Sequence, residues 1–274
     1  MAEPSAEATP AEGLRGRGTE VAEVREGVDS LRVSDIGGHP LKDGGWFRPG
    51  LIFRISGGMI GPAEIAHLDT LGLRVLVDLR GGSEDRGMLV DWAGTRGVRY
   101  HHEPISLGEA ADFASVLDEH GLTEADGRAY LAMMYRRLLD EFAPSLVGAV
   151  TALAEAQPAA FGCAAGKDRT GLLAALLQEL LGVDRAAILH GYVSQAPDPG
   201  RLLEAISTWW DWEEGDLTKP GLGGILSAVE EVMAGALAYL DEHHGGVVRY
   251  FEAAGLPAGT VELLRERLVA DEPG

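Results

Sequence analysis

The chain has 274 residues, of which 46% are hydrophobic and 24% are charged, the balance of a globular protein with a sizeable core. Asp and Glu number 43 against 23 Lys and Arg, and the formal net charge of -20 argues against binding nucleic acid or an anionic membrane over a broad face. A small basic pocket for one anionic ligand remains compatible with that charge, because a pocket depends on its local field. Cys163 is the single cysteine, which excludes an intrachain disulfide framework.

The amino-terminal residues are rich in Ala, Glu, Pro and Gly and predict a disordered acidic segment over residues 1–25, followed by one α/β domain over 26–274. This segment lacks the apolar core of a secretory signal, and no stretch approaches the ~18 apolar residues of a transmembrane helix. A lone cysteine is compatible with a reducing compartment. We therefore expect a cytoplasmic protein.

Strand and helix patterns alternate through the first half of the chain, which favours a parallel sheet covered by helices. The predicted elements there are a strand at 51–53, a helix at 62–71, a strand at 73–79, a helix at 84–96 and a strand at 98–102.

The second half is mostly helical in pattern. Predicted helices cover 127–156 with an interruption at Pro144, then 170–181, 185–194, 200–210, 224–243, 247–254 and 260–269, and a buried strand is predicted at 159–161. Segments near 106–127 and 196–224 have the character of lids. The predicted fold is α/β, with a mostly parallel central sheet flanked by helices and a helical carboxyl-terminal half.

The segment Phe161–Gly171 carries the chemistry of this sequence. A buried strand delivers Cys163 into a turn of small residues, and a helix begins about six residues later, a geometry that forms a nest of backbone N–H groups for a tetrahedral oxyanion. The helix end, Lys167 and Arg169 each favour the thiolate of the cysteine. Arg169 can also grip two phosphate oxygens, and these parts together suit attack on a phosphate monoester through a cysteinyl-phosphate.

A Walker-type nucleotide loop is the competing interpretation of Gly166-Lys167 ahead of a helix. It does not fit, because Gly162 to Gly166 leaves three residues where four are needed and Asp168 replaces the magnesium-binding Ser or Thr.

Cys163–Gly171, with the sequence Cys-Ala-Ala-Gly-Lys-Asp-Arg-Thr-Gly, resembles the signature loop of the atypical bacterial tyrosine-protein phosphatases, relatives of the dual-specificity and phosphoinositide phosphatases. The resemblance covers most of the chain after residue 30 and implies a cysteine-phosphatase-like fold. The other similar segments are Ser34–Gly38, Arg48–Arg54, Val77–Arg80 with Glu84 beyond it, Tyr135–Leu139, and the tail from Gly255 to Leu268.

The resemblance implies catalytic roles for Cys163 as nucleophile, Arg169 as phosphate clamp and Asp168 as general acid. Lys167 would add charge at the pocket mouth, and Thr170 would hydrogen-bond the cysteine sulfur or cap the helix. The substrate-binding residues that it implies are Ala164, Ala165, Gly166, Lys167, Thr170, Asp78 and Arg80, of which the last two would support the loop from the neighbouring strand. No metal or other cofactor is required, since Arg169 and the loop amides neutralise the phosphate.

Two positions depart from the family pattern. Gly162 stands where the family has a His before the cysteine, and Ser34 stands where the amino-terminal motif usually has an Arg. Loss of that imidazole is expected to make the Cys163 thiol harder to ionise and to slow its attack. Loss of the cation is expected to weaken phosphate binding.

Other clusters have simpler explanations. The pairs His101-His102 and His243-His244 are neighbours that diverge on a strand or helix, so neither pair forms a chelate by itself. The aromatic cluster Trp209–Trp212 fits either a helix end packed on the core or a lid that stacks an aromatic substrate, for which Gly221 and Gly223-Gly224 would supply hinges.

We therefore expect a phosphoric monoester hydrolase that acts on a phosphorylated small molecule or a phosphopeptide, with no nucleic-acid or membrane partner. Two alternatives remain: a phosphatase fold used for a different reaction on a metabolite, such as an elimination, and a pseudophosphatase that binds phosphate without turnover. The sequence does not indicate which ester is the substrate or what the oligomeric state is.

Overall fold

A five-stranded sheet positions the residues of the signature segment. The computed structural model describes residues 33–106, 123–209 and 218–272, so the predicted segment 1–25 and part of each predicted lid lie outside the described residues. The strands are Val33–Asp35 (β1), His39–Pro40 (β2), Trp46–Phe47 (β3), Ile52–Ser56 (β4), Val75–Asp78 (β5), Arg99–His102 (β6), Ala159–Cys163 (β7) and Val269–Ala270 (β8).

The main sheet has the order β1-β4-β7-β5-β6, in which β4, β7, β5 and β6 are parallel and β1 is antiparallel to β4. Parallel strands direct their carboxyl ends to one edge, so Ser56, Asp78, His102 and Cys163 end along the same side of the sheet. A smaller antiparallel sheet, β2-β3-β8, joins the carboxyl-terminal strand to the region before β4.

Helices follow the strands and fill the second half of the chain. They are Pro62–Thr70 (α1), Gly87–Arg96 (α2), Glu124–Glu141 (α3), Ala143–Glu155 (α4), Asp168–Leu181 (α5), Arg185–Ser194 (α6), Pro199–Trp209 (α7), Pro220–Leu226 (α8), Glu230–His244 (α9), Val247–Ala253 (α10) and Thr260–Leu268 (α11). These elements confirm the predicted α/β class with a mostly parallel sheet and a helical second half.

Both faces of the central strands are covered, which explains their nearly continuous apolar sequences. Along β7, Ala159, Phe161 and Cys163 join the larger core with helices α3, α4 and α5, whereas Ala160 joins the smaller core with α1 and α2. Side chains along β7 therefore alternate between the two faces of the sheet as far as Cys163, whose side chain lies on the face that α5 covers.

The predicted helix over 224–243 is wrong, because the structure has two helices there. The first ends at Leu226, and Ser227 and Val229 have extended backbone angles before the second begins at Glu230. The Ser227 hydroxyl donates to the Gly224 carbonyl oxygen and so satisfies a group at the helix end. No single described helix is long and apolar enough to cross a membrane, although α8 and α9 pass that test together as a pair bent by 60°.

Candidate active site

The loop between β7 and α5 is shaped by close approach to β4. Gly166 has a φ of 68°, a conformation that glycine adopts without strain, and a Cβ atom there would overlap the Ser56 hydroxyl. The amide of Gly58 donates to the Ala164 carbonyl oxygen at 2.9 Å, which ties the loop to the turn after β4. The amino end of α5 follows directly at Asp168, as an oxyanion site requires.

Cys163 is held from the first turn of α5. Its sulfur accepts a hydrogen bond from the Thr170 hydroxyl at 3.1 Å, and its backbone N–H donates to the same oxygen at 2.9 Å. The side chain is 2% exposed. A hydroxyl donor stabilises a thiolate in preference to a thiol, so Thr170 supports the nucleophilic form of the sulfur.

Arg169 is buried and bound on one side by Glu84. Its Nη1 and Nη2 atoms donate to the two carboxylate oxygens at 2.6 and 2.9 Å, and Nη1 also donates to the Ile105 carbonyl oxygen at 3.0 Å. Its Nε atom is buried and has no hydrogen-bond partner among the described residues. Burial alone would lower the pKa of Arg169, but negative charge on Cys163 and on Glu84 raises it, so the guanidinium stays charged.

Glu84 is a site residue whose role was not predicted from the sequence. It accepts from the Gly81 amide at 2.6 Å as well as from Arg169, and so fixes the plane of the guanidinium. The two partners are 85 residues apart in sequence, and the only sequence signal for Glu84 was its position just beyond the family-like segment Val77–Arg80.

Asp168 occupies the first position of α5, beside the loop. Its Oδ1 atom accepts from the Tyr135 hydroxyl at 2.9 Å and lies 2.8 Å from the Lys167 ammonium. The side chain of Asp168 is 19% exposed, so the carboxyl group reaches the surface of the site while one oxygen is held.

The expectation that Lys167 lies at the mouth of the pocket does not match the structure. Its side chain is 2% exposed, and the ammonium donates to the carbonyl oxygens of Ile225 at 2.7 Å and Ser227 at 3.3 Å. The carboxyl end of α8 leaves carbonyl groups without intrahelical partners, and these bind the buried ammonium group. Lys167 therefore joins the loop to the end of α8.

Asp78 and Arg80 form a buried ion pair at the end of β5, at 2.6 Å. Burial raises the pKa of Asp78, but the hydrogen bonds and charge of Arg80 outweigh it and bring the pKa below its ordinary value. Arg80 also donates to the Gly57 carbonyl oxygen at 3.2 Å, and the Leu79 amide donates to the Gly162 carbonyl oxygen at 2.8 Å. This part of the sheet edge therefore braces both turns that form the site.

Arg54 is a second site residue whose role was not predicted from the sequence. It is 3% exposed on β4, and its guanidinium donates to the Gly166 carbonyl oxygen behind the loop. Burial lowers the pKa of Arg54, while negative charge on Cys163 and other nearby groups opposes that shift, which makes the cation an electrostatic neighbour of the sulfur. Ser34, where a family Arg was expected, pairs with Arg54 across β1 and β4.

The structure gives a packing reason for Gly162. A Cβ atom at this position would overlap the carbonyl oxygen of Ile55 on the adjacent strand. A histidine side chain does not fit this approach of β4 to β7 without movement of the backbone. The glycine is therefore a consequence of how closely the two strands approach.

Ala165 and Trp209 contact the apolar cluster formed by α7 and α8, and a Cβ atom on Gly58 would lie 3.0 Å from the Trp209 ring. Trp209 thus lies at the rim of the loop, whereas Trp210–Trp212 lie outside the described residues. The proposed hinge glycines are inside α8, where close packing against α3 accounts for Gly221 and Gly224, whereas a Cβ atom on Gly223 would make an ordinary contact.

The paired histidines are separate from the loop. His101 lies 3.6 Å from Glu155, and His102 contacts the Arg80 carbonyl oxygen at 2.8 Å. His243 and His244 both pack against Tyr239. Within the parts of the chain that the structure describes, no group of three or more His, Cys, Asp or Glu side chains is arranged to hold a metal ion.

An α/β fold in which a buried strand ends in a cysteine, followed by a tight loop and a buried arginine at a helix start, defines a cysteine-dependent phosphatase. A model of the tyrosine phosphatase family matches residues 26–270. The chain is 30% identical over 254 residues to the triple specificity protein phosphatase PtpB of Mycobacterium tuberculosis, covering 80% of this chain and 90% of PtpB. It is 29% identical over 228 residues to a tyrosine-protein phosphatase of Nostoc commune, covering 77% of this chain and 71% of that protein.

Among solved structures, TpbA of P. aeruginosa is similar at 18% identity and a TM-score of 0.35, over 75% of this chain and 86% of TpbA. The family match and the 30% identity to PtpB establish that the chain belongs to the tyrosine phosphatase family, whose members are phosphoric monoester hydrolases. The resemblance seen in the sequence is thereby confirmed.

Proposed function

We propose that this protein hydrolyses phosphate monoesters through a cysteinyl-phosphate intermediate on Cys163. The observation that carries the proposal is the buried Nε atom of Arg169, which lacks a hydrogen-bond partner among the described residues while Glu84 fixes the rest of the guanidinium. An unpaired buried N–H is unfavourable by about 1–3 kcal/mol, and a phosphate oxygen in the loop would satisfy it. The same side chain would then stabilise the charge that develops on the transferring group.

The reaction has two displacements at phosphorus. The Cys163 thiolate forms the S–P bond as the bond from phosphorus to the ester oxygen breaks, and Asp168 transfers its proton to the departing oxygen. Asp168, now a carboxylate, accepts a proton from water as that water attacks phosphorus. The S–P bond breaks, and inorganic phosphate and the thiolate of Cys163 are released.

The substrate we propose is a phosphorylated small molecule or a phosphopeptide, with aryl esters favoured. Trp209 is half-buried at the rim of the loop, where its ring can contact an aromatic leaving group. The named relatives support this class, since PtpB is described as a triple specificity protein phosphatase and the Nostoc commune relative as a tyrosine-protein phosphatase. We further propose that the protein acts in the cytoplasm and forms one domain over 26–274.

Phosphate release from an aryl phosphate and a panel of phosphometabolites tests the proposal. Cys163→Ser is expected to abolish release, and Arg169→Ala to lower kcat/KM by about 10³-fold, the scale of losing a preorganised donor to the transition state. Arg137→Ala is the control, because Arg137 pairs only with Glu141 on an exposed face of α3 among the described residues. When a reaction catalysed by the Asp168→Asn variant is quenched with acid, mass spectrometry should detect one phosphoryl group on Cys163.

A folded wild-type protein that releases no phosphate from any compound contradicts the proposal. Release that survives Cys163→Ser contradicts the covalent mechanism in particular. Thermal denaturation of each variant shows whether a loss of activity reflects a loss of fold.

A further inference from the structure

Tyr135 places a buried hydroxyl group against the carboxyl group proposed as the general acid. The residue lies on α3 and is fully buried, and its hydroxyl contacts Asp168 Oδ1 at 2.9 Å and the Tyr192 hydroxyl at 2.8 Å. The rings of the two tyrosines meet edge to face with centroids 6.3 Å apart. Three helices, α3, α5 and α6, therefore contribute to one short chain of hydroxyl and carboxyl groups.

The chemistry of the groups fixes the direction of this chain. A carboxyl oxygen that carries no proton only accepts hydrogen bonds, so the Tyr135 hydroxyl donates a hydrogen bond to Asp168 Oδ1 and its oxygen accepts one from the Tyr192 hydroxyl. Burial foremost, and then the charge of Asp168, raises the pKa of both tyrosines above the ordinary value. Both hydroxyls therefore remain donors at every pH at which a phosphatase of this kind operates.

Both contacts of Asp168 fall on the same oxygen. The Lys167 ammonium lies 2.8 Å from Oδ1, the atom to which Tyr135 donates. A carboxyl group whose Oδ1 accepts one hydrogen bond and faces an ammonium group carries its own proton on Oδ2. Lys167 is in turn held by the carbonyl groups at the end of α8, and Tyr135 is held by Tyr192. Each of the two groups that contact Oδ1 is therefore fixed by a further contact.

We propose that Tyr135 is a positioning residue for catalysis: it holds Oδ1 of Asp168 so that Oδ2 carries the proton given to the leaving group. The inference rests on the proposed function, in which Asp168 is the general acid. Tyr192 supports Tyr135 by donating to its oxygen. Without the Tyr135 hydroxyl, the Asp168 carboxyl group is free to rotate, and the protonated oxygen is correctly placed for a smaller fraction of the time.

The test is a series of aryl phosphates whose phenol leaving groups differ in acidity. A poor leaving group such as phenol needs the proton, whereas dinitrophenol leaves as the anion and needs no acid. Tyr135→Phe is expected to lower kcat/KM by about 10-fold for phenyl phosphate, the factor for losing one hydrogen bond, and by less than about 2-fold for dinitrophenyl phosphate. Asp168→Asn should show the same dependence more steeply.

Tyr250→Phe is the matched control. Tyr250 is also buried, but its hydroxyl donates to the Leu139 carbonyl oxygen at 2.8 Å, away from the loop. Its removal is expected to lower thermal stability without changing the dependence of kcat/KM on leaving-group acidity. The inference is overturned if Tyr135→Phe behaves like this control, or if it lowers kcat/KM equally for all esters.

The outcomes separate this inference from the proposed function. Activity that depends on Cys163 but shows no leaving-group effect in Asp168→Asn means that another group is the acid, and the role of Tyr135 is overturned with that of Asp168. Absence of any phosphate release by the wild type overturns the proposed function and this inference together.

Discussion

At the scale of single residues, the position before the nucleophile illustrates how a neighbouring strand selects a side chain. Gly162 pairs in register with Ile55 and Asp78, so β4 lies on one side of it and β5 on the other. The approach of Ile55 leaves no space for a Cβ atom. A positive charge near the sulfur comes instead from Arg54, on the same neighbouring strand.

We expect Gly162→Ala to destabilise the fold by about 1–3 kcal/mol, because the added methyl group overpacks the contact with Ile55. Gly162→His, which restores the family residue, should lower activity for the same reason. Urea denaturation measures the first effect, with Gly235→Ala as the control because a Cβ atom there meets no atom within 4 Å. Equal stability of the two alanine variants would show that β4 can move aside.

Arg54 gives a second prediction at this scale. Arg54→Met removes a buried cation from the electrostatic neighbourhood of Cys163, and attack by the sulfur should slow by about 10-fold. Alkylation of Cys163 by iodoacetamide at pH 7 measures this effect. Arg74→Met, at the opposite end of β5, should leave the alkylation rate unchanged, and a similar decrease in both variants would rule out a local charge effect.

At the scale of elements, α3 and α8 pack closely because glycines face each other. A Cβ atom on Gly127 would overlap the Gly221 carbonyl oxygen, and one on Gly224 would overlap that of Glu124. Close packing holds the end of α8 above the loop, where Lys167 donates to its carbonyl groups. The position of α8 and the position of the loop are therefore coupled through one side chain.

Gly224→Ala should separate α8 from α3 and expose the amides of both α7 and α8. Hydrogen exchange measured by mass spectrometry is expected to show about 10-fold faster exchange in these helices, the effect of ~1.4 kcal/mol of lost local stability, and little change in the central strands. Gly223→Ala is the control on the same helix, because a Cβ atom there makes an ordinary contact of 3.6 Å with Glu124. Faster exchange in both variants would mean that any side chain on α8 loosens it.

The sequence predicted the elements better than their mutual contacts, for a physical reason. The strand at 73–79 and the helix at 185–194 have short-range patterns that hydrophobic periodicity reveals, and the structure has elements at both places. The signature loop could be predicted because its residues are contiguous. Glu84 and Tyr135 reach the loop from distant parts of the chain, and no periodic pattern records such pairs. The break after Leu226 was missed because α8 and α9 are both apolar and carry no proline between them.

At the scale of the whole molecule, the buried pair of Asp78 and Arg80 links stability to pH. The pKa of Asp78 in the folded protein lies below its ordinary value. The ion pair therefore contributes its full stability at pH values above the ordinary pKa of an aspartate. This contribution is lost as the pH falls through the folded pKa, because protonation neutralises the carboxylate. The free energy of unfolding of the wild type should therefore decrease as the pH drops below about 4, the ordinary pKa range of an aspartate.

We expect Asp78→Asn to lower the free energy of unfolding by about 3 kcal/mol at pH 7, since it leaves Arg80 buried without its anion. The difference from wild type should shrink on acidification, which urea denaturation at pH 7 and near pH 3 can measure. Asp43→Asn is the control, because Asp43 and Arg265 form an exposed pair and little change is expected. A constant difference at both pH values would contradict the linkage to this carboxylate.

The net charge of -20 places an anion-binding pocket in a repulsive long-range field. Phosphopeptides flanked by Lys should therefore show higher kcat/KM than otherwise identical peptides flanked by Glu, by about 10-fold at low ionic strength. The preference should weaken as salt is added, because at 0.15 M charges more than about 8 Å apart are largely screened. An aryl phosphate with no flanking charged residues, measured in the same buffers, corrects for competition by salt anions at the loop. A preference that is unchanged by salt would indicate instead that specific side chains near the pocket bind the flanking residues.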